Sequence, residues 1–320
     1  MRNYNSLTPP PPNILFDSTK FTPTILCMFL EIEKFAPAKI NIGLKVLPKT
    51  ENQDYHQIES IFQTVNLRDR LCVKVIGGYD SCCVTCSNMA LPKKNTITCA
   101  YKAFREVSGL KRLLGVHVEL EKKIPSGGGL GGGSSDAVAM IKALEEIHKI
   151  QLTDFQHERI AEKIGSDVFF FFHCDKNGNA CALVSGRGEI VNDIKPRSDL
   201  LFVLAFPKIH SSTKEAYKLV DDYYSSGKND GIRYPDFWEL KKIYNTSINR
   251  WNFVNSFTAP LSERYPEIGN ALQCIRQSGA LFSEMSGSGS TVFGIFDSSQ
   301  NQKRSVDALV SKGFSAAMAV

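Results

Sequence analysis

The densest chemical signal in the chain is a glycine-rich loop that ends in two serines and an aspartate. Every residue from Gly127 to Gly133 is glycine except Leu130. Such a loop exposes backbone N–H groups and adopts dihedral angles that other residues avoid, which suits the binding of phosphate oxygens. We expect a helix to begin at Ser134 or Ser135, with its positive dipole end facing the loop. The loop is therefore predicted to bind a phosphate group.

The loop differs from two familiar phosphate motifs. No Gly-Lys-Ser/Thr follows the glycines, and the distal acidic residue and glycine spacing of a dinucleotide fold are missing. A flexible linker is the alternative interpretation. The flanking patterns favour phosphate binding, because Val116 to Leu120 alternates like a strand and an apolar helical face follows the loop. That face consists of Ala137, Met140, Ile141 and Leu144.

Phosphoryl transfer needs groups beyond a phosphate loop. The acceptor hydroxyl must lie in line with the phosphate, its proton must be accepted late, and cations must stabilise the moving charge. The chain offers Lys39 and Asp167 for these roles, although singly they could be a surface lysine and a helix N-cap. A second glycine loop, Ser286 to Ser290, lies in the other half of the chain. Two such loops suggest a ligand bound between two domains.

Composition narrows the function classes. The 38 basic and 33 acidic residues give a net charge of +5 without a sustained basic run, which suits an anionic small molecule rather than nucleic acid. The longest apolar runs fall well short of the ~20 residues of a membrane helix, so no membrane partner is expected. Nine cysteines favour a reducing compartment. Cys83 and Cys86 lack the second pair that a zinc site needs, so buried free thiols on short strands are favoured over metal or redox use.

Hydrophobic periodicity places these residues on elements. Strands are predicted at 40–46 and 58–65, and a helix at 96–107 stopped by Gly109. Thr153 and Gln156 form a capping box for a helix ending at Gly165, which puts Asp167 on a tight connection. The second half predicts a strand at 200–205, a strand at 291–296, a helix through Val306, Leu309 and Val310, and a strand at 315–320. This order indicates an α+β fold with mostly antiparallel sheets, divided near residues 186–198 into domains at 35–190 and 191–320.

Residues 1–34 have few charges and no clear periodicity. We predict an extension that is disordered or not translated, with Met28 as the alternative start. A transit peptide would be rich in arginine and serine, and only one arginine and two serines precede Met28. A cytoplasmic location is therefore favoured over a plastid.

Five motifs together resemble the GHMP kinase superfamily over roughly residues 35–320. They occur in the family order at Pro37–Ile42, Asp54–His56, Ile124–Asp136, Gly165–Phe169 and Ser286–Gly289. The resemblance implies a two-domain α+β fold, with an N-terminal ribosomal-protein-S5-like domain and a C-terminal ferredoxin-like domain. It also implies ATP-dependent phosphorylation of an alcohol with Mg²⁺, and the Tyr-His pair points to a cytidylyl sugar alcohol as the small-molecule substrate. A monomer and a homodimer both remain open.

The resemblance assigns roles residue by residue. Asp167 is implied as the catalytic base and Lys39 as its cationic partner. Substrate contacts are implied for Asn41, Tyr55, His56, Tyr217, Gly287 and Gly289. Contacts with ATP are implied for Asn95, Lys122, Pro125, Gly127, Gly128, Gly129, Leu130, Gly131, Gly132, Gly133, Ser134 and Ser135. No side chain is assigned as a metal ligand, although Ser134 or Ser135 suits phosphate or Mg²⁺, and Asp136 is expected to cap the helix.

Departures from the family pattern leave alternatives open. Asp54 stands where the family has glycine, Ser166 where it has alanine, and Phe169 where it has proline, which removes a fixed φ beside Asp167. Homoserine, mevalonate and sugar kinases are the nearest alternatives, and they would not need Tyr55 and His56. Those two residues could also simply end a hairpin. A ligand sensor of the same fold is the alternative outside enzymes, and retention of Lys39 and Asp167 argues against it.

Overall fold

The computed structural model describes residues 30–49, 55–209 and 212–319. Within these ranges the chain forms a six-stranded sheet and a four-stranded sheet, each covered by helices. The predictions for Met28, for the rest of the first 29 residues and for Asp54 lie outside the described residues.

The six-stranded sheet belongs to the first part of the chain. Its strands are β1 (Glu31–Val46), β2 (Ile58–Tyr79), β3 (Cys82–Cys86), β4 (Leu114–Glu121), β5 (Cys181–Ser185) and β6 (Ile190–Asp193). The order is β3-β4-β2-β5-β6, with β1 paired to β2, and all pairs are antiparallel except β3 with β4. Strand β1 begins four residues before the predicted start of the folded region at residue 35. The chain passes from the six-stranded to the four-stranded sheet after β6. The domain boundary at 190/191 stays a prediction, and it would fall inside β6.

Strand β1 positions two of the predicted site residues. Residues 36–44 are buried throughout, because helices and the second half of the chain cover the sheet there. Side chains alternate across a strand, so Lys39 and Asn41 point to the same side. A register shift against β2 follows Asn41. The sequence thus embeds a lysine and an asparagine in an apolar strand, where a polar group is costly unless it has partners.

Four helices accompany this sheet. They are α1 (Thr96–Val107), α2 (Gly132–His148), α3 (Asp154–Ile164) and α4 (Asp167–Phe172). The predicted bounds of α1 are confirmed, and so are the capping box at Thr153 and the end at Gly165. Helix α2 begins at Gly132, so the prediction of a serine N-cap is wrong. Its N-cap is Gly131, in the left-handed region at φ 69°, a conformation that glycine adopts without strain.

The four-stranded sheet belongs to the second part. Its elements are β7 (Leu201–Phe206), α5 (Thr213–Ser225), α6 (Phe237–Tyr244), α7 (Thr258–Arg264), α8 (Pro266–Gln277), β8 (Phe282–Met285), β9 (Val292–Phe296), α9 (Ser299–Ser311) and β10 (Ser315–Ala319). The strand order β10-β7-β9-β8 is antiparallel throughout. The α+β class with mostly antiparallel sheets is therefore confirmed.

The fold bears on the predictions of buried cysteines and of no membrane-spanning segment. Cys83 and Cys86 lie on the predicted short strand, but Cys83 is exposed rather than buried, because the strand is at the edge of its sheet. In the part of the chain that the structure describes, no helix has the length and apolar character to cross a bilayer.

Candidate active site

A cleft of about 1730 Å³ is lined by residues from both halves of the chain. The two glycine loops form one wall, and the start of α1 and residues of α5 form others. Every predicted site residue lines this cleft except Ser135 and Gly289. Ser135 is buried, and a Cβ on Gly289 would meet Met285 rather than the cleft. The structure thus brings together residues that are up to about 250 positions apart.

The first glycine loop is held by the second. Ser286 Oγ donates a hydrogen bond of 3.0 Å to the carbonyl of Gly129, and Thr291 N donates one of 3.2 Å to the carbonyl of Gly128. A Cβ on Gly129 would lie 2.1 Å from the carbonyl oxygen of Ser286, and its φ of +76° also disfavours a side chain. Only glycine lets the two backbones approach so closely. The phosphate loop is therefore fixed in shape by residues from the other sheet.

Leu130 contributes to the loop in a different way from the glycines. Its side chain is buried in the core, and its carbonyl accepts a 2.9 Å hydrogen bond from Lys39 N. This bond ties the loop to β1. The predicted contact of Leu130 with a nucleotide is thus restricted to its backbone.

The start of α2 faces the cleft through Gly132, Gly133 and Ser134. The first N–H groups of a helix lack intrahelical acceptors and carry its positive dipole end. A Cβ on Gly132 would lie 2.9 Å from Ile124 Cγ2, so the first turn is closely packed. Backbone groups in this geometry suit the binding of an anion.

Lys122 lies between two buried carboxylates. Its Nζ pairs with Asp69 and, at 2.8 Å, with Asp136 Oδ2. Asp69 also accepts hydrogen bonds from Lys123 N at 2.6 Å and Ile124 N at 2.8 Å, which fixes the chain as it enters the glycine loop. The expectation that Asp136 caps α2 is wrong, because the helix begins four residues earlier and the carboxylate pairs with Lys122 instead.

Electrostatics in this cluster follow from its burial. Burial raises the pKa of Asp136, against the opposing effect of the Lys122 charge. Burial alone would lower the pKa of Lys122, but Asp136 and Asp69 outweigh it and raise that pKa. Asp136 Oδ1 is buried without a hydrogen-bond partner among the described residues. Lys122 therefore stays protonated and is held in place by the two carboxylates at this wall of the cleft.

Asn95 lines the same end of the cleft, and its side chain makes hydrogen bonds to neighbouring backbone groups. Its side chain accepts a 3.0 Å hydrogen bond from Thr98 N and donates one of 3.1 Å to the carbonyl of Pro92. It is thus the N-cap of α1. The contact with adenine stays a prediction, and it would have to share the amide group that already makes these two hydrogen bonds.

Lys39 and Asp167 meet between the two ends of the cleft. Lys39 Nζ lies 3.5 Å from Asp167 Oδ2 and donates a 2.8 Å hydrogen bond to Asn41 Oδ1. It also lies 4.3 Å from the ring centre of Phe62, a cation–π distance. Burial lowers the pKa of Lys39, and the nearby charge of Asp167 opposes that change. Asp167 is the more exposed partner and occupies the first position of α4.

Asn41 has its own set of partners. Its Nδ2 donates to Ser60 Oγ at 3.1 Å, and Ser60 Oγ donates to the carbonyl of Gly43 at 2.6 Å. Its backbone N lies 3.3 Å from Ser286 Oγ, the same hydroxyl that contacts the first glycine loop. The hydroxyl of Ser286 therefore links β1, the strand that carries Lys39, to the first glycine loop.

The far end of the cleft is built from side chains. Tyr55 is exposed, with the guanidinium of Arg187 5.4 Å from its ring centre. His56 is buried and stacks on Tyr217 with ring centres 5.0 Å apart. Burial raises the pKa of Tyr217 to about 12, so its hydroxyl remains a donor at neutral pH. His56 also contacts Asp221, a residue that the sequence analysis did not identify.

Asn255 is another residue that the sequence analysis missed. Its Nδ2 donates to the carbonyls of Met285 and Gly287 at 2.7 and 2.8 Å, and its Oδ1 accepts from Phe257 N at 2.9 Å. The buried amide thereby fixes the second glycine loop. No spacing in the sequence signals this contact, because the partners are about 30 residues apart on different elements.

The fit of a metal ion can be judged from the oxygen donors at the loop. Across the described residues, no group of three or more His, Cys, Asp or Glu side chains could hold a metal. Mg²⁺ usually keeps several waters and takes one or two protein oxygens together with substrate phosphates. Ser134 and Asp167 both line the cleft and offer such oxygens. These residues fit Mg²⁺ that arrives with a nucleotide.

Two family models match the chain. The model described as GHMP kinases N terminal domain matches residues 95–175, and the model described as GHMP kinases C terminal matches residues 238–316. The first model covers the phosphate loop and Asp167. The second covers the loop at Ser286.

Curated relatives match over most of the chain. A 4-diphosphocytidyl-2-C-methyl-D-erythritol kinase of Treponema pallidum (strain Nichols) is 36% identical over 273 residues, 84% of this chain and 91% of the relative. The enzyme of the same name from Thermotoga maritima is 36% identical over 269 residues, 81% of this chain and 90% of the relative.

Solved structures match over a similar share. A crystal structure of 4-(cytidine 5'-diphospho)-2C-methyl-D-erythritol kinase is 28% identical, with a TM-score of 0.72 and coverage of 90% of this chain and 98% of that chain. Homoserine kinase from Cytophaga hutchinsonii has a TM-score of 0.65 at 18% identity, over 90% of this chain and 93% of that chain, which shows a shared fold.

Proposed function

The chain belongs to the 4-diphosphocytidyl-2-C-methyl-D-erythritol kinase family of GHMP kinases, and on this premise we propose how its residues perform the reaction. The protein is an ATP-dependent kinase of the non-mevalonate isoprenoid pathway that phosphorylates the 2-hydroxyl of 4-diphosphocytidyl-2-C-methyl-D-erythritol. The predicted two-domain GHMP kinase fold is confirmed. The roles of individual residues, and the use of Mg²⁺, are our proposals.

The observation that carries the residue assignment is the contact between Lys39 and Asp167. The pair lies in the cleft between the phosphate loop and the aromatic end, with Nζ and Oδ2 3.5 Å apart. Asp167 is partly exposed to the cleft, whereas Lys39 is almost fully covered. An acceptor hydroxyl beside Asp167 would therefore reach the carboxylate directly.

In the proposed mechanism Asp167 orients the acceptor hydroxyl and takes its proton. Phosphoryl transfer passes through a loose transition state, so the proton leaves late and a carboxylate suffices as base. Lys39 offsets the negative charge that develops at the acceptor oxygen. Asn41 and the ring of Phe62 hold the ammonium group in place. General-base assistance of this kind contributes ~10²–10⁴-fold to the rate.

At the other end, backbone N–H groups of the glycine loop and of the first turn of α2 bind the phosphates of ATP. Lys122 lies on the same wall, with its charge paired to Asp69 and Asp136. We propose that Ser134 holds Mg²⁺ together with the phosphates, since it lines the cleft in the first turn of α2. When bound, the ion neutralises charge on the transferring phosphoryl group.

The acceptor end recognises the cytidine in this proposal. Tyr55 offers an exposed aromatic face, and Tyr217 lines the cleft with one face covered by His56; stacking on aromatic faces accepts any base. Discrimination must therefore come from polar groups at the base edge. His56 lies in this region.

A coupled assay for ADP release tests the function. Purified protein is incubated with ATP, Mg²⁺ and either the cytidylyl substrate, homoserine, mevalonate or a sugar. We expect ADP release above background with the cytidylyl substrate alone. Release with another alcohol alone would identify a sibling kinase, and no release with any of them would favour a ligand sensor.

A further inference from the structure

The imidazole ring of His56 is not placed to contact a base directly. Its ring is buried, with 3% of the side chain exposed. Nδ1 lies 2.9 Å from the carbonyl oxygen of Leu47, and because a carbonyl only accepts, Nδ1 carries the hydrogen of this bond. Nε2 lies 3.1 Å from Asp221 Oδ1 and 3.3 Å from Oδ2, and a hydrogen bond to these acceptors requires a hydrogen on Nε2 as well. Both ring nitrogens thus have partners within the protein.

The polar group that faces the cleft beside His56 is Asp221. Its side chain is 46% exposed and lines the cleft, in contrast to the covered imidazole. Both oxygens of the carboxylate contact His56 Nε2, and each oxygen has a second lone pair that can accept from a ligand. A carboxylate offers acceptors and no donor when it is ionised.

Helix α5 holds this carboxylate in a fixed position. Tyr217, Asp221 and Tyr224 follow at i, i+4 and i+7 and lie on one face. Tyr217 stacks on His56, and the Tyr224 hydroxyl donates to the carbonyl of Val46 at 3.1 Å. The helix is therefore anchored on both sides of Asp221, by Tyr217 to His56 before β2 and by Tyr224 to the end of β1.

We propose that Asp221 is a specificity-determining residue that accepts a hydrogen bond from the 4-amino group of the cytosine. The inference deepens the proposed function and rests on it. Cytosine presents an amino donor at this position, where uracil presents a carbonyl acceptor, and a carboxylate accepts from the first and repels the second. His56 acts as a positioning residue that fixes the orientation of Asp221.

Calorimetric binding of CDP and UDP tests this without turnover. The nucleotide end is first saturated with a non-hydrolysable ATP analogue, so that the two diphosphates compete only for the acceptor end. We expect the unsubstituted protein to bind CDP ~10-fold or more tightly than UDP, the discrimination typical of a good base contact. Asp221→Asn offers a donor as well as an acceptor, so the ratio should fall to within about twofold.

Asp222→Asn is the matched control, because it removes the same charge from the next residue of α5, which is exposed and does not line the cleft. It should keep the full ratio. An unchanged ratio in Asp221→Asn would overturn the inference, and so would an equal weakening of CDP and UDP, which would indicate a ribose contact. Equal affinity of the unsubstituted protein for both would also overturn it. The ADP-release assay tests the proposed function independently of this binding measurement.

Discussion

The two ends of the cleft are built from different parts of the polypeptide. At the proposed nucleotide end, the glycine loop and the start of α2 line the cleft, and the buried side chains of Asp69 and Ser286 hold that backbone in place. At the acceptor end, the side chains of Tyr55, His56 and Asp221 form the wall, and much of that surface is exposed.

This difference separates what is shared from what is selective. A triphosphate is the same in every kinase reaction, so a rigid backbone cradle can serve any acceptor. Acceptor choice needs side chains that can change without disturbing the fold. Lys39 and Asp167 lie where the two ends meet. Substitutions at the two ends should therefore have distinct effects on stability, on turnover and on the two KM values.

The largest effect is expected at the junction. Asp167→Asn keeps the shape of the side chain but loses the proton acceptor, so kcat should fall by ~10²–10⁴-fold. The affinity for ATP should change little, because the glycine loop is untouched. Steady-state kinetics and ATP-analogue binding measure the two quantities. Unchanged turnover would remove Asp167 from the role of base.

The next largest effect is expected where the two glycine loops touch. Gly129→Ala places a Cβ 2.1 Å from the Ser286 carbonyl, at a φ of +76°. Overpacking and a left-handed alanine together should cost about 3–4 kcal/mol of unfolding free energy. The KM for ATP should rise more than the KM for the acceptor. Chemical denaturation and kinetics provide both readouts.

Gly109→Ala serves as the control for backbone conformation. It has a similar φ of +75° but no atom within 4 Å of the added Cβ. It should cost only about 1–2 kcal/mol and leave both KM values unchanged. If the two alanine variants behave alike, close contact between the loops is not what shapes the nucleotide end.

A third effect compares the two carboxylates around Lys122. Asp69→Asn breaks a buried charge pair and weakens the acceptor of two backbone N–H groups, so it should destabilise the protein by about 3 kcal/mol. Asp136→Asn should cost about 1 kcal/mol or less, because burial already raises the pKa of Asp136 and its Oδ1 lacks a partner among the described residues. Urea denaturation at pH 7.5 measures both. Equal losses would show that Asp69 has no special part in holding the loop.

The smallest effect is expected at the acceptor end. His56→Ala removes the imidazole that orients Asp221, so the KM for the cytidylyl substrate should rise about tenfold, the effect of losing one good base contact. The KM for ATP should stay nearly constant, whereas the free energy of unfolding should fall by about 1–3 kcal/mol, because the buried ring and its contacts with Tyr217 and Leu47 are lost. An equal rise in both KM values would contradict a separate acceptor end.

The sequence predicts the nucleotide end better than the acceptor end, because local patterns encode backbone structure. The glycine run, the apolar face of the following helix and the capping box at Thr153 were all readable, and the structure confirms these elements. The start of α2 was mispredicted because glycine in the left-handed region replaced a serine cap. The candidate residues were identified from the order of the family motifs, and most of them line one cleft in the structure.

Contacts between distant residues were not readable. Asp69 meets the loop entry about 54 positions later, and Asp221 meets His56 165 positions before it. Each such pair depends on how strands and helices are arranged in space, which no periodicity records. Asp136 was misassigned for the same reason, since its partner Lys122 comes from β4's end rather than from its own helix.

The central claim is that Lys39 and Asp167 act as one unit at the junction of the two ends. The most direct measurement is single-turnover phosphorylation by Lys39→Met, Asp167→Asn and the double variant, at saturating ATP and acceptor. When two residues act as one unit, removing either one already removes the rate enhancement of the pair. The double variant should therefore be about as slow as Asp167→Asn alone. If the two losses multiply in the double variant, the residues act independently and the proposed pairing is contradicted.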